Sequence, residues 1–293
     1  MEHRILYKLG TLIVSLEAYS SMKIWEIPLW KLDPYRIRDS KESPDLSISL
    51  NSSEKQIQPG KLLNKERAGF FQHIIYNVPG GMIWQYERIK NHDIQLRYYI
   101  SSKWDQIQLL EDHSHTDGHL AFEYLGQVMP SVMLRHCILT FHGVLLEYEG
   151  NGIIISAPSG TGKTTHARMW RDLRRALIIN GDRAACRKIN GTWTGFSLPW
   201  SGTSGEQVNR SVPIKAMIIL ERSEENQAFQ ISGMDAFISA WTNVLKPGWD
   251  TDLSGKALDL TDDFLQTVPV VRLRCRPDAD SVEVLSNFLE DIG

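Results

Sequence analysis

The sequence predicts an α/β chain with mixed sheets: a strand-rich first unit, then a unit in which strands and helices alternate around a phosphate-binding loop. Three observations carry that expectation. Short β-branched and aromatic runs dominate the first third of the chain. From about residue 136, apolar strand-like runs alternate with stretches of helical periodicity. Between one such strand and one such helix lies "APSGTGKT" (Ala157–Thr164), a Walker A pattern matched at every required position except the first, where alanine replaces glycine. With 293 residues the chain can bury a substantial core, and the change in pattern divides it into residues 1–130 and 131–293.

Taken in order, the opening residues read as a strand, and "TLIVSLEA", "DLSISL", "FFQHIIYNV", "GMIWQYERI" and "IQLRYYIS" supply further strands separated by turn residues. "DPYRIRDSKESPD" (Asp33–Asp45) reads as an exposed loop. In "GHLAFEYLGQVMPSVML", Leu120, Tyr124 and Leu125 share a helix face, and Pro130 is expected to interrupt or end the helix. "ILTFHGVLLEYEG" and "NGIIISA" read as two strands joined by a Gly150–Gly152 turn, followed by the helix "GKTTHARMWRDLR". "ALIINGD", "TWTGFSL", "IKAMIILE" and "VPVVRLRC" are further strands, "MDAFISAWTNVL" is a helix, and Val282, Leu285 and Leu289 space a final helix.

Composition narrows the function classes. Hydrophobic residues make up 42% and charged residues 23%, an ordinary globular balance. The formal charge of −3 and a pI near 6.3 provide no global basic surface for nucleic acid or an anionic membrane, so neither partner is expected. Cys137, Cys186 and Cys275 form no Cys-x-x-Cys spacing, which fits a reducing, cytoplasmic setting better than a zinc or disulfide framework. No window approaches the roughly 18–20 apolar residues of a membrane span. A homo-oligomer is compatible with all of this.

The chemistry concentrates around the loop. Gly160 and Gly162 allow the backbone to turn successive N–H groups toward one anion, and the helix starting near Lys163 adds its unpaired N–H groups. Ser159, Gly160, Thr161, Gly162, Lys163, Thr164 and Thr165 are therefore the expected nucleotide-binding residues, with Lys163 on the β- and γ-phosphates and the Thr164 hydroxyl on magnesium. The bland alternative is a glycine-rich turn before a surface helix. Asp182, at the end of "ALIINGD", is the second candidate magnesium ligand; otherwise it simply starts a turn. His142 either belongs only to its strand or faces Asp182, where the pair would orient or deprotonate an incoming hydroxyl. His166 reads as solvated, locally capping or catalytic. In "PWSGTSGEQVNRS", Trp200 offers a flat apolar face and Ser201, Gly202, Ser204, Gly205 and Asn209 offer compact donors near a ligand, while Arg210 either stabilises transferred charge or is solvated. "ERSEEN" (Glu221–Asn226) reads as an exposed strand-to-loop transition.

"FHGVLLEYEGNGIIISAPSGTGKTTHA" resembles the C-terminal kinase domain of HPr serine kinase/phosphorylase, and "IINGDR", "LPWSGTSGEQVN", "IILERSEEN" and "VPVVRLRCRPDADSV" resemble the HPr-kinase-related proteins that phosphorylate lasso-peptide precursors. The resemblance covers roughly residues 136–290 and implies a phosphoenolpyruvate carboxykinase-like P-loop fold. It implies ATP and Mg2+ as cofactors, Lys163 on phosphate, Thr164 and Asp182 on metal, His142 with an acidic partner activating the acceptor, and residues 1–130 as an accessory or substrate-recognition unit. Where HPr kinase carries two adjacent aspartates this chain has Gly181-Asp182, so one carboxylate is absent and a reverse phosphorylase reaction is not implied. The expected activity is phosphorylation of a hydroxyl, a precursor-peptide serine first and a small hydroxylated metabolite second. A non-catalytic nucleotide-binding regulator is the alternative from another class.

Overall fold

Alternation of apolar and polar residues in the first third of the chain yields one broad sheet. In the computed structural model, which describes residues 3–18, 28–38, 42–50, 57–110, 118–158 and 160–292, the chain divides into Met1–Val132 and Met133–Gly293. The first unit contains β1 (His3–Leu9), β2 (Leu12–Ala18), β3 (Arg36–Ile37), β4 (Leu46–Ser49), β5 (Leu62–Ala68), β6 (Phe71–Val78), β7 (Gly81–Arg88), β8 (Ile94–Ser101) and β9 (Gln106–Leu109). They form a nine-stranded sheet in the order β3-β1-β2-β4-β9-β8-β7-β6-β5, antiparallel except where β4 runs parallel to β2 and β9. The strict alternation in β8 buries Leu96, Tyr98 and Ile100 completely on one face. The segment expected to be a loop is partly ordered structure: Asp33–Tyr35 forms a 3-10 turn, β3 pairs with β1, and Tyr35 is buried because its ring is worth more out of water than in a loop. Residues 39–41 of that segment lie outside the described residues.

Helix α1 (Gly118–Arg135) continues past Pro130, expected to interrupt or end it. An interior proline costs a helix roughly 3 kcal/mol, but Val128, Met129, Val132, Met133 and Leu134 around it are fully buried, each worth about 1.5–3 kcal/mol. Tertiary burial therefore outweighs the local break.

The second unit follows with β10 (Leu139–Tyr148), β11 (Asn151–Ser156), α2 (Lys163–Arg174), β12 (Leu177–Asn180), β13 (Arg183–Ile189), β14 (Thr192–Phe196), β15 (Ser211–Arg222), β16 (Gln227–Ile231), α3 (Gly233–Trp241), α4 (Thr251–Leu265), β17 (Val270–Cys275) and α5 (Ala279–Asp291). The β10–β11 hairpin turns on Glu149 and Gly150, both at positive φ (51° and 77°), as a two-residue loop demands. Gly152, expected in the turn, instead sits within β11, where an added Cβ would meet Val212 Cγ1 at 2.7 Å and Ile214 Cδ1 at 2.9 Å.

Pairings β10–β11, β11–β15, β15–β14, β14–β13 and β13–β10 close a circuit, with β12 also on β10 and β17 and β16 extending outward from β15. β11, β15 and β17 run parallel, so their C-terminal ends gather on one edge, the edge at which open parallel sheets hold ligands. Trp170 of α2 and Val282, Leu285 and Leu289 of α5 join Ile153 and Ile155 of β11 in one buried cluster. The chain as described is thus a mixed α/β architecture with a strand-rich N-terminal sheet. No helix among the described residues is long and apolar enough to cross a membrane.

Candidate active site

The loop leaves the end of β11 and enters α2. Ala157 is buried and keeps a backbone outside the positive-φ region, so its methyl is tolerated where the Walker pattern usually has glycine. Gly160 (φ 76°) and Gly162 (φ 120°) adopt the conformations that favour glycine. Gly162 precedes α2 with no side-chain cap hydrogen bond, the kind of helix N-terminus at which anions bind. Lys163 Nζ donates to the carbonyl of Ala157 at 2.9 Å, folding the ammonium over the loop. Burial pulls the Lys163 pKa down, opposed by the charge of Asp182. Thr161, Thr164 and Thr165 lie on the loop and the first turn of α2, Thr165 exposed and the other two half-buried. Ser159 lies outside the described residues.

Asp182 occupies the tight connection between β12 and β13. The fully buried Asn180 builds that connection: its Oδ1 accepts from the backbone N–H of Asp182 (3.0 Å) and of Arg183 (2.8 Å), while its Nδ2 donates to the Leu198 carbonyl (2.8 Å). β10 pairs His142 with Arg183, and the N–H of Gly143 donates to the Asp182 carbonyl at 2.9 Å. Register therefore brings His142 Nε2 to 3.5 Å from Asp182 Oδ1. That separation is an ion-pair distance, longer than a tight hydrogen bond, and such contacts commonly close up once substrate binds. The His142 contact holds the Asp182 carboxyl below its usual range, against the opposing effect of burial, with further help from the charges of Arg183 and Lys163. His142, Asp182 and Lys163 thus form one electrostatic group.

Two glycines shape the surroundings of Asp182. A Cβ on Gly181 would stand 1.9 Å from Ser204 Oγ and 2.9 Å from its Cβ, so a side chain at position 181 would have to displace Ser204. Gly202, at φ 60°, brings its backbone against the Asp182 side chain. The "PWSGTSGEQVNRS" segment therefore meets the site through Gly202. Its Trp200 does not offer an apolar face: the ring is buried, as is Ser201. Nor is Arg210 available to transferred charge, because it forms a two-pronged ion pair with Glu147, Nη2 to Oε1 at 2.6 Å.

The structure adds two residues that sequence reasoning undervalued. Arg222, at the end of β15, donates from its guanidinium to the carbonyls of Gly160 and Thr161, the latter at 3.4 Å. It bridges 62 residues of sequence to hold the loop, a contact no local pattern announces. His166, expected to be solvated, capping or catalytic, is only 3% exposed, and neither ring nitrogen has a hydrogen-bond partner. Burial pushes its pKa down to about 4. Both residues line a cleft of about 840 Å³ beside the loop, whose other walls include Met169, Leu220, Glu224 and Pro277.

The described residues build no protein cage for magnesium. Among the described residues no group of three His, Cys, Asp or Glu side chains could hold a metal ion. Asp182 offers one ionised carboxylate, a third exposed, and Thr164 one hydroxyl; Mg2+ characteristically takes one or two such ligands and completes its shell with phosphates and water.

Residues 115–256 match the family model described as SynChlorMet cassette protein ScmC, a span just under half of the 293-residue chain. No curated protein matches the chain. Among solved structures it is similar to the HPr(Ser) kinase/phosphatase from Coxiella burnetii, at 12% identity and a TM-score of 0.33, over 52% of this chain and 93% of that one.

Proposed function

We propose that the chain is an ATP- and Mg2+-dependent kinase that phosphorylates a hydroxyl, with a serine of a ribosomally made, lasso-type precursor peptide as the acceptor. The single observation that carries this reading is the His142–Asp182 pair, 3.5 Å apart and electrostatically linked to Lys163 of a Walker-type loop. A loop alone supports binding; a loop with an imidazole and a carboxylate beside it supports transfer.

In this reading the N–H groups of the loop and of the first turn of α2 hold the triphosphate, and the Lys163 ammonium leaves the Ala157 carbonyl to neutralise the transferring group. The acceptor oxygen attacks the γ-phosphorus, the bond from that phosphorus to the bridging oxygen breaks, and ADP leaves with the electron pair. His142 takes the hydroxyl proton while ionised Asp182 orients the ring. Thr164 and Asp182 would hold Mg2+, which would supply charge neutralisation when bound. The missing second carboxylate favours forward transfer alone. The words "cassette protein" in the matched family's description favour an acceptor encoded alongside the kinase over one drawn from general metabolism.

Incubation with γ-labelled ATP, Mg2+ and candidate precursor peptides tests the reading directly. Label on a peptide serine supports it. Label on a small hydroxylated metabolite transfers the same chemistry to another acceptor. Nucleotide binding without any transfer leaves a regulatory nucleotide-binding protein.

A further inference from the structure

The cleft of about 840 Å³ beside the phosphate loop has no role in the chemistry above. It is lined by Gly160, Thr161 and Gly162, so it offers space beside the loop to the remaining atoms of a ligand whose phosphates sit there. Its size lies within the range of small-molecule sites. Apolar surface comes from Met169, Leu220 and Pro277, and charge of both signs from Glu221, Arg222, Glu224 and Arg276. At its loop side stands His166, whose Nδ1 and Nε2 are both buried and both without a partner.

An imidazole in that position is a net loss to the free protein. Buried and unpaired, it is neutral, with one donor and one acceptor that water would have satisfied in the unfolded chain. A leucine at position 166 would fill similar space next to Ala167 and Trp170 without that penalty. An unsatisfied buried polar side chain calls for an explanation, and here a ligand cleft lies beside it.

We propose that this cleft receives the nucleoside of the bound nucleoside triphosphate and that His166 is the residue that recognises it, through a hydrogen bond from the imidazole to the base or ribose. The inference rests on the nucleotide reading above and adds to it which part of the ligand is read, and by what. Because both nitrogens are covered in the free protein, the loop shifts as the nucleoside seats; Gly160 and Gly162, around which an added Cβ would meet nothing within 4 Å, leave space for that shift.

The test compares ATP with inorganic tripolyphosphate, which carries the phosphates and lacks the nucleoside, by calorimetric titration of the full chain and of His166→Leu and His166→Asn, with the thermal midpoint measured for each. Wild type is expected to bind ATP at least about tenfold more tightly than tripolyphosphate. His166→Leu should weaken ATP by about tenfold, the value of one hydrogen bond, leave tripolyphosphate unchanged and keep or raise the thermal midpoint. His166→Asn, which retains a donor and an acceptor, should recover part of the loss. Equal affinity of wild type for the two ligands overturns the nucleoside subsite. ATP binding untouched by His166→Leu, or both ligands weakened equally, or a lowered midpoint, overturns the role of His166. If neither ligand binds wild type, the nucleotide reading itself falls.

Discussion

The backbone of Gly202 lies against the carboxylate of Asp182: a Cβ built on Gly202 would stand 2.7 Å from Asp182 Cγ and 3.0 Å from Oδ1. Gly202 also holds φ 60°, so glycine is required there twice, for the conformation and for the approach. Gly202→Ala should lower stability by roughly 1–2 kcal/mol and displace the Asp182 carboxylate. Transfer should fall at least about tenfold while ATP affinity is retained. Thermal melts and single-turnover assays on the same preparation check this; undiminished transfer would show that Asp182 needs no such backing.

His142→Ala removes the proton acceptor of the proposed mechanism and keeps every group that the proposal assigns to the phosphates. The expected result is ATP binding close to wild type with transfer slowed by about 10²–10⁴, the usual worth of general acid–base help. A purely structural role for His142 predicts a lower melting temperature with normal turnover at saturating substrates.

Lys163→Ala should abolish transfer and strongly weaken triphosphate binding. The fold should survive, since the one hydrogen bond lost, to the Ala157 carbonyl, is worth about 1 kcal/mol. Circular dichroism together with nucleotide titration separates loss of site from loss of structure. Turnover at the wild-type rate would remove the Walker assignment altogether.

Metal should follow the nucleotide. With one carboxylate at the site, titration with Mg2+ alone should show no saturable binding in the millimolar range, whereas Mg2+ with ATP should. Asp182→Asn keeps the size and loses the charge, so it should impair Mg2+-supported transfer more than metal-free ATP binding. Tight Mg2+ binding without nucleotide would point to a protein-built metal site instead.

Stability should depend on pH through His166. Its pKa falls from an ordinary 6.5 to about 4 on folding, so between those values the unfolded chain binds more protons than the native one. Native stability should therefore be complete above about pH 6.5 and decline as pH drops toward about 4, by up to a few kcal/mol. His166→Leu removes this component, and chemical denaturation at pH 7.5 and pH 5 should show a smaller drop in the variant. An identical drop in both proteins would mean that other groups carry the acid sensitivity.

The strand–loop–helix around Ala157–Thr164 was legible because its signals are local: an apolar run, glycines at fixed positions and a lysine at the helix start. What escaped was what tertiary packing decides. β5 alternates nowhere, since nearly all of its residues are exposed on both faces. β13, "RAACRKI", is buried through alanine and cysteine, residues that do not advertise a strand. Helix α4 did carry a readable signal, Asp250 capping the Leu253 N–H and Leu253, Ala257, Thr261 and Phe264 buried on one face, but its other face is polar enough to pass for a loop. Arg222 and the burial of His166 depend on contacts distant in sequence, and the ion pair of Arg210 with Glu147 spans 63 residues.

The collision awaiting any side chain at Gly181 orders the mutational paths open to this chain. An aspartate introduced there meets Ser204 Oγ, which itself donates to the Ser201 carbonyl at 2.8 Å and receives the Glu206 N–H at 3.3 Å. Gly181→Asp should therefore force Ser204 to shift and lose these two bonds, while Ser204→Gly removes the hydroxyl that accepts the Glu206 N–H. A second carboxylate beside Asp182 is thus a question of two positions, 181 and 204, whose substitutions should couple rather than add.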